Sequence, residues 1–514
     1  MKNQLNQVKE IQFKSFSFNP TMLFVLFLSV IVRLTIQHKY AGARFYYPDS
    51  WDYVVVPSQL GPPRSFHPPT IWKFWEIFTF GSLSESSVLI LQAFLGVITT
   101  LMVFKILSRF LTRGQSLMLT MIYILTPWQY FFERTFLPES VSLFLLILLF
   151  SISQRVNLDK GNLRHVKNVV LVSLILGLLV ALKPLYSLFA FSTLAILIVR
   201  IFLIKHIKMR TKYLISTLIV LVACIPMASL SVAYFKSYQV FSTSPASGSF
   251  LITRWANLVP CTSYNAETNE IVRNVVKKVC EKEAGMIPGE STNLLYLEPD
   301  VGATLQAQKD FAYIQQRLQM VAAKAVLANI DDFIPQLVRA FIYPFVTISL
   351  PNDLSQFKGG GDFSGSSVIK DNFVNYKTWF DVKENLNLEL TREEQFRSIM
   401  LKSINLPTLL FFITIGLLFI SIPIRIRKNK KLGLHVRFRS FRAVLESEYI
   451  IVMTFVISTQ FMIAATSVIN FRLYLNFIPI WIILVGKIIS GLSLRESEPS
   501  MFLDPQQTKA VTNQ

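Results

Sequence analysis

Long apolar runs alternate along this chain with short polar connections. The runs are continuous and lack the one-sided stripe of a surface helix. About 20 apolar residues are needed to carry a helix through the ~30 Å hydrocarbon core of a bilayer. Ten segments read as such spans, at 21–38, 86–104, 115–131, 138–153, 168–182, 184–201, 213–235, 403–423, 449–467 and 474–491. The two runs flanking Lys183-Pro184 also read as one kinked helix, and 333–350 competes as an eleventh span, so the count lies between nine and eleven. The stretch 333–350 holds Arg339, Pro335 and Pro344, and we read it as an interfacial helix. The first run reads as a signal anchor. Arg33, His38 and Lys39 separate its apolar core from the cleavage-like Ala41-Gly42-Ala43, which lies beyond the usual ~15–30 residues of a removed signal.

The expected fold is therefore an all-α polytopic membrane protein of about ten helices. Its expected organisation is a cytoplasmic tail at 1–20, an N-terminal transmembrane module of about seven helices at 21–235, and an extracytoplasmic domain at 236–402. A C-terminal module of about three helices at 403–491 and a polar cytoplasmic tail at 492–514 follow. Residues 39–85 form a long first outer loop, in which Trp72, Phe74, Trp75 and Phe78 interleave with Lys73 and Glu76 as in a short juxtamembrane helix. The helix-forming run 303–331 lies in the outer domain, where the Gly-rich loop around Gly359-Gly360-Gly361 is a mobile-loop candidate.

Composition changes this picture only through charge. Of 514 residues 52% are hydrophobic and 16% charged, which excludes a disordered chain, yet the net charge is +20. With the N-terminus in the cytoplasm, the inner segments hold 26 of the 51 Lys and Arg residues and six of the 31 acidic ones. The whole excess then falls on the inner side, eight of the basic residues within 425–442. That is a topology signal set against anionic lipid, and no nucleic-acid partner is implied.

The charged groups at outer span ends are the ones topology does not explain. They are Asp49 and Asp52 in Pro48-Asp49-Ser50-Trp51-Asp52-Tyr53, then Arg64 and His67, Arg134 and Glu139 in the second outer hairpin, Lys183 before Pro184, and Arg472 with Tyr474. A carboxylate there can take a proton from an attacking hydroxyl, and Arg or Lys can hold a phosphate leaving group. Each residue alone also has a structural reading: Asp49 as a turn former, Glu139 as a helix-dipole partner, Lys183 and Arg472 as snorkelling side chains.

At these residues the sequence resembles the GT-C integral-membrane glycosyltransferases, in particular the bacterial branch of protein O-mannosyltransferase-like and aminoarabinose-transferase-like enzymes. The resemblance rests on Pro48 to Tyr53, His67-Pro68-Pro69, Gln92 in Leu-Gln-Ala-Phe-Leu-Gly, Thr135-Phe136-Leu137-Pro138-Glu139-Ser140, the Lys183-Pro184 step and Arg472 before Pro479. It covers about 21–235 and resumes from about 320 to 490. It implies the GT-C fold and sugar transfer from a polyprenyl-phosphate donor on the outer face of a bacterial inner membrane, with inversion. The acceptor would be a lipid, glycan or protein. Asp49 matches the family's general base, and Asp52 competes for that role. Glu139 matches an acid that orders the site, and Lys183 and Arg472 match donor-phosphate contacts. Arg134, Arg64, His67, Tyr53 and Tyr474 are further candidates for donor binding. Lys183 stands where the family often has Arg, a point charge in place of a fork.

No Asp-x-Asp triplet and no phosphate loop occurs, which argues against a nucleotide-sugar donor and an ATPase. No cofactor is implied, and carboxylates remain open as ligands for a divalent metal. Cys261 and Cys280 lie 19 residues apart in the outer domain; a disulfide there would add roughly 3 kcal/mol, and two separate thiols are the competing reading. A transporter or flippase for a lipid-linked or anionic solute is the alternative function, and a membrane scaffold the third.

Overall fold

The computed structural model describes residues 20–39, 68, 70–81, 85–154, 163–204, 207–245, 247–259, 269–283, 311–346, 449–466 and 477–492, with short pieces between 409 and 417. Every regular element among them is helical. Among the described residues, four helices are long and apolar enough to cross a membrane: Pro20–Lys39, Ser86–Leu107, Pro184–Leu203 and Met209–Lys236. Four more apolar helices are shorter: Glu139–Ser153, Val166–Leu182, Ile450–Ala465 and Ile478–Ser490. The expected span 403–423 lies almost wholly outside the described residues.

The chain opens with α1 (Pro20–Lys39), whose Phe24, Phe27 and Leu34 are exposed, as on a helix with a lipid-facing side. The helix α2 (Thr70–Phe78) buries Ile71, Trp72 and Trp75 and leaves Lys73 and Glu76 outside as an ion pair. The helix α3 (Glu85–Leu107) is long enough to span.

The expected span 115–131 is broken. It divides into α4 (Arg113–Ile124) and α5 (Pro127–Glu133). Thr112 and Gln115 form a capping box at the start of α4. Pro127 ends it: proline supplies no N–H and disfavours helical backbone in the residue before it, so Thr126 is extended. Pro127 then opens α5 where its missing N–H costs nothing. Next comes α6 (Glu139–Ser153). At 1.5 Å per residue, α4 is about 18 Å long and α6 about 22 Å, both short of a ~30 Å core. The connection between them, 125–138, is buried from Thr126 onward apart from the half-buried Pro127.

The Lys183-Pro184 step separates two helices. The helix α7 (Leu163–Leu182) stops, Lys183 is extended, a single 3-10 turn Pro184–Tyr186 follows, and α8 (Ser187–Leu203) begins. Proline again dictates the break. The helix α9 (Met209–Tyr238) carries Pro226 in its interior and packs closely along α7. Gly177 is required there, because a Cβ would overlap the Ala223 carbonyl oxygen.

A separate helical group comprises α10 (Ser247–Arg254), the 3-10 turn Ala256–Leu258, α11 (Glu270–Glu283), α12 (Phe311–Ala328) and α13 (Ile330–Val346). It has its own core of Ile252, Trp255, Val272, Ile314 and Leu318. The helix α13 is amphipathic, with Leu337 and Ala340 buried and Ile334, Val338 and Ile342 exposed. The chain ends, in its described part, with α14 (Tyr449–Thr466) and α15 (Phe477–Leu492). Phe455 of α14 meets Phe150, Tyr186 and Phe189 at 5.1–6.1 Å between ring centroids, which joins the C-terminal helices to the main core. The helical group grips α14 at its end. Arg254 donates to the Ala464 carbonyl, Trp255 Nε1 to that of Ala465, and Gln460 reaches back to the Phe341 carbonyl.

Candidate functional site

The site is built around the buried hairpin 125–138. Two buried ion pairs hold it, one on each side. On the first side Arg33 of α1 meets Glu133 at the end of α5, with Nε donating to Oε2 at 2.9 Å and Nη2 to Oε1 at 2.6 Å. Arg33 Nη1 donates to the Ser29 hydroxyl and carbonyl at 2.5 and 3.2 Å, and the guanidinium lies 5.1 Å from the Tyr130 ring centre. A fork-on-fork pair of this kind is among the strongest polar contacts. It forms at the level of Gly96, midway along α3. A Cβ at Gly96 would occupy the place of the Glu133 carboxylate.

On the second side Lys183 Nζ donates to Glu139 Oε1 at 2.9 Å, and the Glu139 side chain is 1% exposed. The geometry follows from the two prolines. Pro138 places Glu139 in the first turn of α6, where the helix dipole favours a carboxylate, and Pro184 turns Lys183 out of the α7 helix toward it. Arg134 caps α5 and donates to the Gln37 side chain, a second tie between the hairpin and α1. Gln92 Nε2 donates to the Thr135 carbonyl at 3.1 Å, and Phe136 packs edge-on against Trp75 of α2 at 5.8 Å. The hairpin is thus held by α1, α2, α3 and α7 together.

A cavity of about 30 Å³ lies inside this arrangement. Its polar lining is Thr99, Tyr123, Gln129, Glu133, Glu139 and Ser140, and its apolar walls include Trp128, Phe132 and Ile478. Among the described residues no three His, Cys, Asp or Glu side chains are placed to hold a metal ion.

Three of the residues singled out from the sequence fall in this region: Glu139, Lys183 and Arg134. The structure joins the first two directly. Asp49, Asp52, Tyr53, Arg64, His67, Arg472, Tyr474 and Cys261 lie outside the described residues, as does the side chain of Cys280 on α11. Sequence reasoning missed Arg33 and Glu133 as a pair, together with Gln129, and quoted Ser140 and Gly96 as motif members without a role. A charge inside an apolar run was the available signal for Arg33, since such residues face a protein interior. The depth of Glu133 had no sequence signal, because it depends on where Pro127 breaks the run and on the contact with Gly96.

Residues 66–229 match the family described as dolichyl-phosphate-mannose-protein mannosyltransferase. Among curated proteins none matches the chain. Among solved structures it is similar to the archaeal oligosaccharyltransferase AglB from Archaeoglobus fulgidus, in complex with an inhibitory peptide and a dolichol-phosphate, with 12% identity and a TM-score of 0.37. That match covers 90% of this chain and 50% of the archaeal one, so the chain spans about half the length of that protein.

Proposed function

We propose that this chain, which through residues 66–229 belongs with the GT-C membrane glycosyltransferases, transfers a sugar from a polyprenyl-phosphate donor to a lipid, glycan or protein acceptor. The observation that carries the reading is the family match. The matched segment is also the one whose helices draw Glu133, Glu139 and Lys183 into one buried cluster.

In this reading the acceptor hydroxyl loses its proton to Asp49, with Asp52 as the competing base, and attacks the anomeric carbon in a single inverting displacement. Lys183 and Arg472 take up the charge that develops on the leaving phosphate. Glu139 holds the Lys183 ammonium in place. Arg134, Arg64, His67, Tyr53 and Tyr474 shape the donor site. The enzyme sits in a bacterial inner membrane with its N-terminus inside and the reaction outside.

The test is transfer by the purified protein in detergent from a labelled polyprenyl-phosphate sugar. Asp49→Asn should abolish transfer with the fold intact. Retained activity there, with loss in Asp52→Asn, moves the base to Asp52. For sidedness, Gly360→Cys should label from outside intact cells and Lys430→Cys should not; the reverse pattern overturns the orientation.

A transporter or flippase is the second reading, and one observation favours it: the Arg33–Glu133 pair lies midway along a membrane-length helix, where transporters place ionisable groups. Movement of lipid-linked sugar across proteoliposomes without transfer would decide for it.

A further inference from the structure

The helix α13 has three faces. One is buried: Leu337 and Ala340 enter the core of the helical group, Phe333 and Phe341 pack beside them, and the Phe333 ring lies 4.6 Å from that of Trp255. One is polar: Asp332 and Arg339, two turns apart, are exposed on the same side. The third carries Ile330, Ile334, Val338 and Ile342, spaced one turn apart and each 44–49% exposed. At 100° per residue this row runs between the buried and the polar faces. Single exposed apolar residues are ordinary, but a contiguous row of four branched ones marks a surface that meets something other than water.

What meets the row is set by where α13 sits. Gln460 Nε2 donates to the Phe341 carbonyl at 2.8 Å, and Arg254 and Trp255 donate to the Ala464 and Ala465 carbonyls, so the helical group is fastened to the last two turns of α14. The helix α14 has 18 residues and is about 27 Å long, so its ends lie near the two edges of a ~30 Å hydrocarbon layer. Gln460 is about 9 Å along the axis from the end at Thr466, which sets the C-terminal half of α13 just inside that edge. Met453, Ile457 and Phe461 form an exposed apolar row along α14, and Phe461 directly follows the residue that holds α13. The apolar surface that α14 turns outward therefore reaches the depth at which the α13 row lies. Charge does not draw α13 to anionic lipid, because the helix carries two acidic residues, Asp331 and Asp332, against one basic, Arg339.

We propose that the row Ile330, Ile334, Val338 and Ile342 is a membrane-contact surface, seated at the boundary between lipid headgroups and acyl chains. The helical group then rests on the bilayer through α13, with Asp332 and Arg339 turned to the headgroups and water. The attachment is apolar insertion, independent of lipid charge. It goes beyond the transferase reading and does not depend on it.

The measurement is the collision accessibility of a nitroxide label in proteoliposomes, on the full chain with Cys224, Cys261 and Cys280 changed to Ala. Labels at Ile334→Cys, Val338→Cys and Ile342→Cys should collide with lipid-soluble oxygen more than with a water-soluble nickel chelate, and should report a depth of about 5–10 Å below the headgroup level. A label at Arg339→Cys should show the reverse preference. The depths should be the same in neutral and in anionic lipid, and at low and high salt. All four side chains are exposed, so each labelled variant should keep the melting temperature of its unlabelled parent. Preference for the nickel chelate along the row shows a face in water and overturns the proposal. Protection from both reagents shows a face covered by protein, whether this chain or a second copy, and overturns it as well. A depth that is lost in neutral lipid or at high salt shows an electrostatic attachment and overturns the apolar one. Presence or absence of sugar transfer is a separate result, which bears on the transferase reading alone.

Discussion

Replacing Arg33 with Met isolates the contribution of the first ion pair. The side chain keeps most of its apolar length, and the variant loses two charge-assisted bonds to Glu133 and two contacts to Ser29. The Glu133 carboxylate then stays buried without its cation. Breaking one half of a buried pair costs about 3–5 kcal/mol, because the charge left behind has no water to turn to. Two charged hydrogen bonds at about 1.5–3 kcal/mol each give the same range. The assay is thermal unfolding in detergent, followed as a double-mutant cycle with Glu133→Leu. Each single variant should lose about 3–5 kcal/mol, and the double variant should lose clearly less than the sum, with a coupling of roughly 2–3 kcal/mol. Gly96 supplies an independent check. Gly96→Ala should be destabilising in the wild type, where the new methyl meets both the Glu133 carboxylate and Arg33 Nη2, and much less so beside the pair Arg33→Ala, Glu133→Ala, where both are gone. Additive losses for Arg33 and Glu133, or a Gly96→Ala penalty indifferent to residues 33 and 133, would refute the claim that this pair holds the hairpin to α1.

Other consequences can be measured in the same preparation. Glu139→Gln weakens the tie to Lys183 and should lower the melting temperature, and Lys183→Met should lower both stability and transfer, with Lys183→Arg recovering part of the transfer. Gly177→Val should cost about 1–3 kcal/mol or more, read by thermal unfolding, because the new side chain meets the α9 backbone at Ala223. Trp255→Phe deletes one indole N–H donated to the Ala465 carbonyl and should cost about 1 kcal/mol; Arg254→Ala should cost more and raise proteolysis near the end of α14.

Much of the helical layout was legible in the sequence. The expected spans 21–38, 86–104, 184–201 and 213–235 correspond to helices long and apolar enough to cross, and the runs at 138–153, 168–182, 449–467 and 474–491 to shorter apolar helices. The run at 115–131 was misread as one span. Its hydropathy continues through Pro127, while the backbone does not: the window average sees apolar side chains and is blind to a missing N–H. The Lys183-Pro184 step, open between one kinked helix and two, is two.

The candidate site was legible only where a residue's role is local. Glu139 after Pro138 and Lys183 before Pro184 stood out because proline places a charge at a helix end. That the two meet, 44 positions apart, is a property of how α6 packs on α7. Arg33 and Glu133 are 100 positions apart, and each alone reads as an ordinary charge near a membrane edge. Gln129 sits in the aromatic run Pro127-Trp128-Gln129-Tyr130-Phe131-Phe132, where nothing marks its Oε1 as an acceptor without a donor.

The sequence by itself determined that this chain belongs in a membrane and roughly where its helices run. Transfer of apolar side chains out of water adds up over contiguous residues, so a sliding sum along the chain suffices. The family signal is likewise carried by short motifs. Only the tertiary structure decided which charges neutralise one another, how deep the hairpin sits, and where an unfilled polar cavity remains. Those outcomes depend on pairs of residues brought together by helix packing, on one glycine that leaves room for a carboxylate, and on hydrogen bonds that are absent. None of these is a property of any single stretch of chain.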